Sequence, residues 1–179
     1  MSDVFLFREW PEPLNIQVLK DMVEDSLGCF GLHRVEWHES FLSIDRTRML
    51  CHFIAPDAES VRIALRQLNA DMRVHWPGSV HDAPGIAVEE IHAANVIVFR
   101  SFAEPVLLTD LQALEDGNIQ CLETHRVRFM RTFFSTDQCR MACLYQAPDA
   151  ESVRIAQRQA GMPLDQVIGV RRLSPESLA

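Results

Sequence analysis

The sequence has no long hydrophobic run and no excess of basic residues. No uninterrupted apolar stretch in its 179 residues approaches the roughly 18 residues that a membrane-spanning helix needs. Lysine and arginine number 17 against 25 aspartates and glutamates, a formal net charge of −8, and a protein of that charge repels the phosphate backbone of nucleic acids. We therefore expect neither a membrane nor a nucleic acid as a partner.

Targeting signals and short metal motifs are missing as well. The first residues, MSDVFLFREWPEP, lack the basic and long apolar segments of a secretory signal, so we expect a cytoplasmic protein. Its five cysteines are then predicted to be thiols. The sequence contains neither C-x-x-C nor H-E-x-x-H, so it does not indicate a zinc cluster or a zinc protease site.

The sequence does contain an internal repeat. CHFIAPDAESVRIALRQ at 51–67 returns as CLYQAPDAESVRIAQRQ at 143–159, and the alignment extends without gaps through most of both halves at this offset of 92 residues. A fixed register over so much of each half indicates duplication of a whole folding unit. We predict a first repeat at 1–77, a linker at 78–95 and a second repeat at 96–179.

Each half shows the same order of patterns. A short β-rich run, VFLFRE or VIVFRSF, is followed by a helical pattern, which covers Leu14 to Leu27 in the first half and begins near Thr109 with a capping-box spacing in the second. Two β-like runs then form a hairpin around SIDRT or STDQC, and a second helix starts at Pro56-Asp57 or Pro148-Asp149. The last strand is QVIGVRR in the second half and RVHW in the first, where Pro77 and Gly78 cut it short.

The resulting order, βαββαβ twice, predicts an α+β protein made of two ferredoxin-like units. Such a unit has both helices on one face of an antiparallel sheet, so the other face needs a cover. We expect the two halves to cover each other as a pseudo-dimer, in the manner of a dimeric α+β barrel.

The first hairpin carries the candidate metal ligands. Strand residues alternate between faces, and an apolar set should pack under the helices: Val35, Trp37, Glu39, Phe41, Met49, Cys51 and Phe53. If the hairpin turns about Asp45, His38 lies opposite His52 on the other face, and Glu36 completes an N/N/O set for nickel or zinc. Alternatively both histidines are ordinary polar residues, and a slip of one residue would separate them.

Several other histidines are weaker candidates. His75 and His81 flank WPGSV and could bring a ligand from the loop, or could simply be solvated. His33 and His125 are equivalent in the two halves, which indicates a structural hydrogen bond more than a ligand role.

Four arginines offer a different kind of site. Arg34, Arg48, Arg126 and Arg140 all fall on the predicted inner face, where their guanidinium groups could bind an anionic ligand. Ion pairs with nearby acids are the alternative.

The cysteines give no clear site. Cys51 and Cys143 lie on the predicted apolar face, where core packing is expected. Cys29 and Cys121 follow the first helices, where they could contact those buried thiols or a soft metal.

Long strings of the sequence resemble a known family. DRTRMLCHFIAPDAESVRIALRQ, WPGSVHDAP and RMACLYQAPDAESVRIAQRQAGMPLDQVI are similar to small bacterial domains of unknown function, some of them described as nickel-binding proteins with a ferredoxin-like fold. The resemblance implies a fused pair of such domains and nickel or a similar divalent ion as the bound metal.

The sequence thus leaves several functions open. The first is a small metal-binding protein whose site is built by the first half, since Met130 and Leu144 replace the histidine pair in the second. The second is an enzyme or binding protein for a small organic ligand held between the two sheets, and the third is a scaffold without a ligand. Further oligomerisation is possible in each.

Overall fold

The computed structural model describes residues 1–70 and 74–178, which form two compact units. The first comprises Met1–Gly78 and Arg171–Ala179, and the second comprises Ser79–Val170. This division departs from the predicted 1–77, 78–95 and 96–179, because the predicted linker belongs to the second unit and the C-terminal residues belong to the first.

The first unit has the predicted order βαββαβ. The elements are β1 (Ser2–Glu9), α1 (Ile16–Leu32), β2 (Glu36–Ser43), β3 (Arg48–Ala55), α2 (Ala58–Gln67) and β4 (Val74–Asp82). The strands pair antiparallel in the order β4-β1-β3-β2. Leu19 and Phe30 of α1, with Val61 and Leu65 of α2, pack on one face of this sheet in a single hydrophobic core.

The second unit repeats this order with one helix divided. Its strands pair as β8-β5-β7-β6, again antiparallel, and Leu122 and Val153 pack from the helices into its core. The elements are α3 (Val88–Ile91), β5 (Val96–Ser101), α4 (Leu108–Gly117), α5 (Ile119–Thr124), β6 (Arg128–Ser135), β7 (Arg140–Gln146), α6 (Ala150–Gln159) and β8 (Gln166–Leu173). The last three residues of β8 and the C-terminal helix α7 (Pro175–Leu178) are assigned to the first unit.

The repeated sequence explains the repeated helix boundaries. Asp57 and Asp149 have extended backbones and accept hydrogen bonds from the amides of Ser60 and Ser152, at 2.7 Å each. These are the N-caps that the sequence predicts. At the other end of α6, Gly161 has φ +69°, a left-handed conformation that glycine adopts without strain.

Two local predictions are wrong. Helix α4 starts at Leu108 without a side-chain cap, so the capping box predicted at Thr109 does not form. Strand β4 is not cut short, because it continues through Pro77 and Gly78 to Asp82; the fixed φ of proline fits an extended strand. Arg73, with which that strand was predicted to begin, lies outside the described residues.

In the described part of the chain, no helix is both long and apolar enough to cross a membrane.

Candidate metal centre

A β-bulge at His38 shapes the candidate centre. Trp37 lies opposite Phe53, but the next pair joins Glu39 to His52, so His38 is an extra residue on β2. The prediction that His38 lies directly opposite His52 is therefore wrong, because strict alternation takes no account of an extra residue. The two imidazoles still come together, with ring centroids 5.0 Å apart and planes inclined by 70°.

The bulge also exchanges the faces of the residues that follow it. Ser40 now lies opposite Cys51, and Leu42 belongs to the core under the helices. Glu39 and Phe41, which were predicted to face the helices, instead lie on the opposite face of the sheet. The bulge lies on β2, so the alternation of residues along β3 is unchanged. The prediction that Met49, Cys51 and Phe53 face the helices is confirmed, because all three are part of the helix-side core.

His52 is buried and held by a carboxylate. Its side chain is 3% exposed, its Nε2 lies 2.7 Å from Asp3 Oδ1, and its ring stacks on Phe5 at a centroid distance of 4.9 Å. A carboxylate only accepts hydrogen bonds, so Nε2 carries the hydrogen of this contact, and Nδ1 is the ring nitrogen that could bind a metal. A carboxylate on the far nitrogen is the usual support of a metal-binding histidine.

Glu39 lies on the other side of the same imidazole. The residue is 2% exposed, its Oε2 accepts a hydrogen bond from Arg172 Nε at 2.6 Å, and its Oε1 lies 3.9 Å from His52 Nδ1. The guanidinium of Arg172 offsets one negative charge, as a buried carboxylate requires. Oε1 is an acceptor, and Nδ1 is one when it carries no hydrogen. A proton or a metal cation between the two atoms would therefore interact favourably with both.

The three side chains have the spacing of a metal site. One ligating atom from each of His38, Glu39 and His52 can be chosen so that all lie within 4.8 Å of one another. Ligand bonds of about 2.1 Å place two donor atoms on a tetrahedral ion about 3.4 Å apart, so the 3.9 Å between Glu39 and His52 is about 0.5 Å wider than a bound ion requires. The widest separation needs a side-chain adjustment of up to about 1.4 Å, which half-buried His38 can supply.

Glu36 does not belong to this group. It lies opposite Ile54 at the open end of the hairpin and is exposed. The carboxylate beside the two histidines is therefore Glu39, which sequence reasoning missed because it assigned this residue to the helix-facing side.

His75 and His81 lie elsewhere. His75 is opposite Leu6, whose side chain is in the core under the helices, whereas His52 is opposite Phe5 on the other face. His75 therefore shares the helix-facing side of the sheet. His81 lies in the second unit, where its Nε2 is 2.7 Å from Ser79 Oγ.

His33 and His125 make the equivalent contacts that their repetition predicts. His33 Nε2 lies 3.3 Å from Gln67 Oε1, and His125 Nε2 lies 2.9 Å from Gln159 Oε1. Each contact ties the C-terminal end of one helix to the next helix, which is a structural role.

The arginines predicted to bind an anion are dispersed within each unit. Arg34 precedes β2 and Arg48 starts β3, so they occupy opposite ends of a hairpin roughly 25 Å long. Arg48 also bonds Asp45 at 3.3 Å. In the second unit, Arg126 and Arg140 hold the same two separate positions and are exposed.

The cysteines are free thiols in two environments. Cys51 and Cys143 are each 4% exposed, and burial raises the pKa of both thiols. This agrees with the predicted core packing. Cys29 and Cys121, like the unrepeated Cys139, are half-buried.

The second unit lacks an equivalent cluster. Each polar residue of the site is replaced 92 positions later, where Asp3, His38, Glu39 and His52 give way to Asn95, Met130, Arg131 and Leu144. Arg131 forms an ion pair with Asp82 instead. The asymmetry noted in the sequence for the two histidines therefore extends to their supporting carboxylates.

Comparison with known proteins shows that the second unit is similar to a described family. Residues 97–170 match the model of the family described as nickel responsive protein SCO4226-like. This confirms the resemblance drawn from the sequence for that part of the chain. His38, Glu39 and His52 lie outside the matched residues. No curated protein matches this chain.

Solved structures resemble this chain in fold. SCO4226 from Streptomyces coelicolor A3(2) is 18% identical, with 43% of this chain and 95% of that chain covered and a TM-score of 0.39. A putative chlorite dismutase, TA0507, is 11% identical over 99% of this chain and 96% of that chain, with a TM-score of 0.54. A heme-binding protein from Thermus thermophilus is 8% identical over 99% of this chain and 93% of that chain, with a TM-score of 0.50. The last two likenesses cover nearly the whole chain and support the α+β fold.

Proposed function

Since residues 97–170 match the model of the family described as nickel responsive protein SCO4226-like, we propose that this chain is a small protein that binds nickel or a similar divalent ion. His38, Glu39 and His52 of the first unit hold the ion. The family match supports metal binding in general, and the spacing of these three side chains supports the first unit as its location.

The observation that carries this proposal is the approach of three ligating atoms to within 4.8 Å. Two imidazole nitrogens and one carboxylate oxygen form a donor set of intermediate softness, which suits nickel or zinc better than magnesium or calcium. Two of the three residues are buried, so their desolvated lone pairs gain more from a cation than exposed ones would.

The surrounding residues prepare the ligands. Asp3 fixes the tautomer and the ring orientation of His52, and Arg172 holds one oxygen of Glu39 so that the other points at His52. Half-buried His38 is the remaining ligand and lies where solvent can deliver the ion. Because the bound metal competes with protons for these groups, its affinity should fall as the pH is lowered.

The proposal can be tested on untagged protein purified without a metal-affinity column. Elemental analysis and calorimetric titration of the chelator-treated protein with Ni²⁺ or Zn²⁺ should give close to one ion per chain. The double variant His38→Met/His52→Leu copies the residues that the second unit accommodates at these positions, so it should fold and should lose the ion.

A matched pair of histidines provides the control. His33→Ala/His125→Ala also removes two imidazoles, but from positions bonded to glutamines outside the cluster, and it should keep full occupancy. A wild-type chain that takes up no metal from metal-replete medium would contradict the proposal, as would equal losses in the two double variants.

The predicted pseudo-dimer, the cytoplasmic location and an organic ligand between the two sheets stay predictions.

A further inference from the structure

The two units place an arginine at the same position under their helices. Arg8 lies opposite Met49, and Arg100 lies opposite Met141, 92 residues later in each strand. Both methionines belong to the helix-side cores. The duplication therefore allows one arginine to be compared with the other in closely matched surroundings.

In the second unit, a polar network surrounds Arg100. The guanidinium donates to Gln157 Oε1 at 2.5 Å, to Pro163 O at 2.7 Å and to Tyr145 Oη at 3.3 Å. Tyr145 donates in turn to Glu115 Oε2 at 2.6 Å, and Gln157 donates to the same oxygen at 3.1 Å. Glu115 is only 5% exposed, so the network supplies the buried arginine with a carboxylate in its own core.

The first unit has apolar residues at three positions of that network. Val23, Phe53 and Leu65 occupy the positions of Glu115, Tyr145 and Gln157. A cavity of about 130 Å³ opens beside Arg8, whereas the corresponding cavity beside Arg100 measures about 20 Å³. Its lining includes Arg8, Trp37, Ser40, Phe53 and Leu65, and also the exposed residue Asp25.

Arg8 lacks the acceptors that Arg100 has. Among residues 1–70 and 74–178, its buried Nε has no hydrogen-bond partner. The guanidinium carbon lies 5.0 Å from the centre of the Trp10 ring, a contact that orients the group without neutralising it. A buried donor on a cation is costly to leave unpaired, so the site favours an anion.

We propose that the first unit binds a small monocarboxylate with an apolar body about the size of one aromatic ring. Its body fills the cavity between the sheet and the two helices, and its carboxylate accepts hydrogen bonds from Arg8. The volume sets the size, since an apolar cavity of about 150 Å³ accommodates benzene. Arginine supplies the specificity, because its planar fork matches the two oxygens of a carboxylate.

This site is separate from the candidate metal centre. Arg8 lies with Met49 on the helix side of the sheet, and His52 lies with Phe5 on the opposite face. Binding can therefore be measured on chelator-treated protein, and either proposal can fail without the other.

The test is calorimetric titration of the full chain with benzoate and phenylacetate, alongside benzyl alcohol as a neutral analogue. We expect saturable binding of at least one carboxylate at one site per chain. The variant Arg8→Gln should weaken binding about 10-fold or more, the usual effect of losing a hydrogen bond to a charged group. Arg66→Gln removes the same charge from the exposed surface of α2 and should leave the affinity unchanged.

A second variant uses the other unit as its template. Val23→Glu/Phe53→Tyr/Leu65→Gln builds the second unit's network around Arg8 and should abolish binding while circular dichroism shows a folded chain. The proposal is overturned if neither carboxylate binds at about 10 mM, a concentration above even millimolar dissociation constants. It is also overturned if benzyl alcohol binds as tightly, or if Arg8→Gln binds as well as the wild type.

Discussion

Replacing Arg100 by methionine should destabilise the protein far more than the same change at Arg8. Arg100 is 2% exposed and bonds Gln157, Tyr145 and the Pro163 carbonyl. Burial alone would lower the pKa of its guanidinium, but Tyr145, Cys143 and Glu115 together raise it above the ordinary value. The protein thus holds this group charged inside its core.

The expected magnitude follows from what the substitution leaves behind. Arg100→Met strips the donor from three acceptors and leaves Glu115 without a nearby buried cation. Removing one partner of a buried charged network costs about 3–5 kcal/mol. For a chain of 179 residues, about 2–4 °C per kcal/mol corresponds to a fall in Tm of roughly 6–20 °C.

Arg8→Met is the matched control. Arg8 is half-buried, and its Nε makes no hydrogen bond within the described residues, so its loss should cost less than about 1 kcal/mol. Both variants remove one positive charge at equivalent strand positions, but Arg100 is buried in the network whereas Arg8 is half-buried outside any such network.

Urea unfolding followed by far-UV circular dichroism is the suitable assay. All three tryptophans, Trp10, Trp37 and Trp76, lie in the first unit, so tryptophan fluorescence would miss unfolding of the second. If Arg100→Met costs no more than Arg8→Met at unchanged m-values, the network does not stabilise the second unit.

Two further predictions concern ionisable groups. Burial, and secondarily the charge of Glu115, raises the pKa of Tyr145 well above its ordinary value near 10. Above about pH 10 the tyrosine therefore ionises in the unfolded chain but not in the folded one. The free energy of unfolding should be constant below that pH and should fall as the pH rises further. Tyr145 is the single tyrosine, so its phenolate absorbance should appear only together with the loss of circular dichroism, and ionisation in the folded chain near pH 10 would refute this. In native protein, an alkylating reagent should label Cys29, Cys121 and Cys139 and spare Cys51 and Cys143, whose thiols are buried and have raised pKa values; mass spectrometry of peptides would show the reverse pattern if these two were reactive.

Local patterns in the sequence were sufficient for the repeat and the order of its elements. The identical helices begin at Asp57 and Asp149 as predicted, because N-capping depends on a side chain and an amide only three residues away. Alternation also placed Met49, Cys51 and Phe53 under the helices correctly. It brought His38 and His52 to one neighbourhood, although by a different register from the one expected.

Tertiary structure decided the rest of the candidate centre. The bulge at His38 replaced Glu36 by Glu39 as the nearby carboxylate, and a strand's periodicity contains no sign of one extra residue. Asp3 and Arg172 reach the site from 49 and 133 residues away in the chain. Pairings over such distances depend on the register of whole strands, which local sequence does not specify.

The comparison of Arg8 with Arg100 shows the same division. The sequence by itself determined that both units carry an arginine at equivalent positions and that only the second also carries Glu115 and Gln157. Only the fold showed that these residues converge under the helices, filling one core and leaving a cavity in the other. Side chains from separate helices and strands meet because the elements pack together, so their proximity is a property of the tertiary structure.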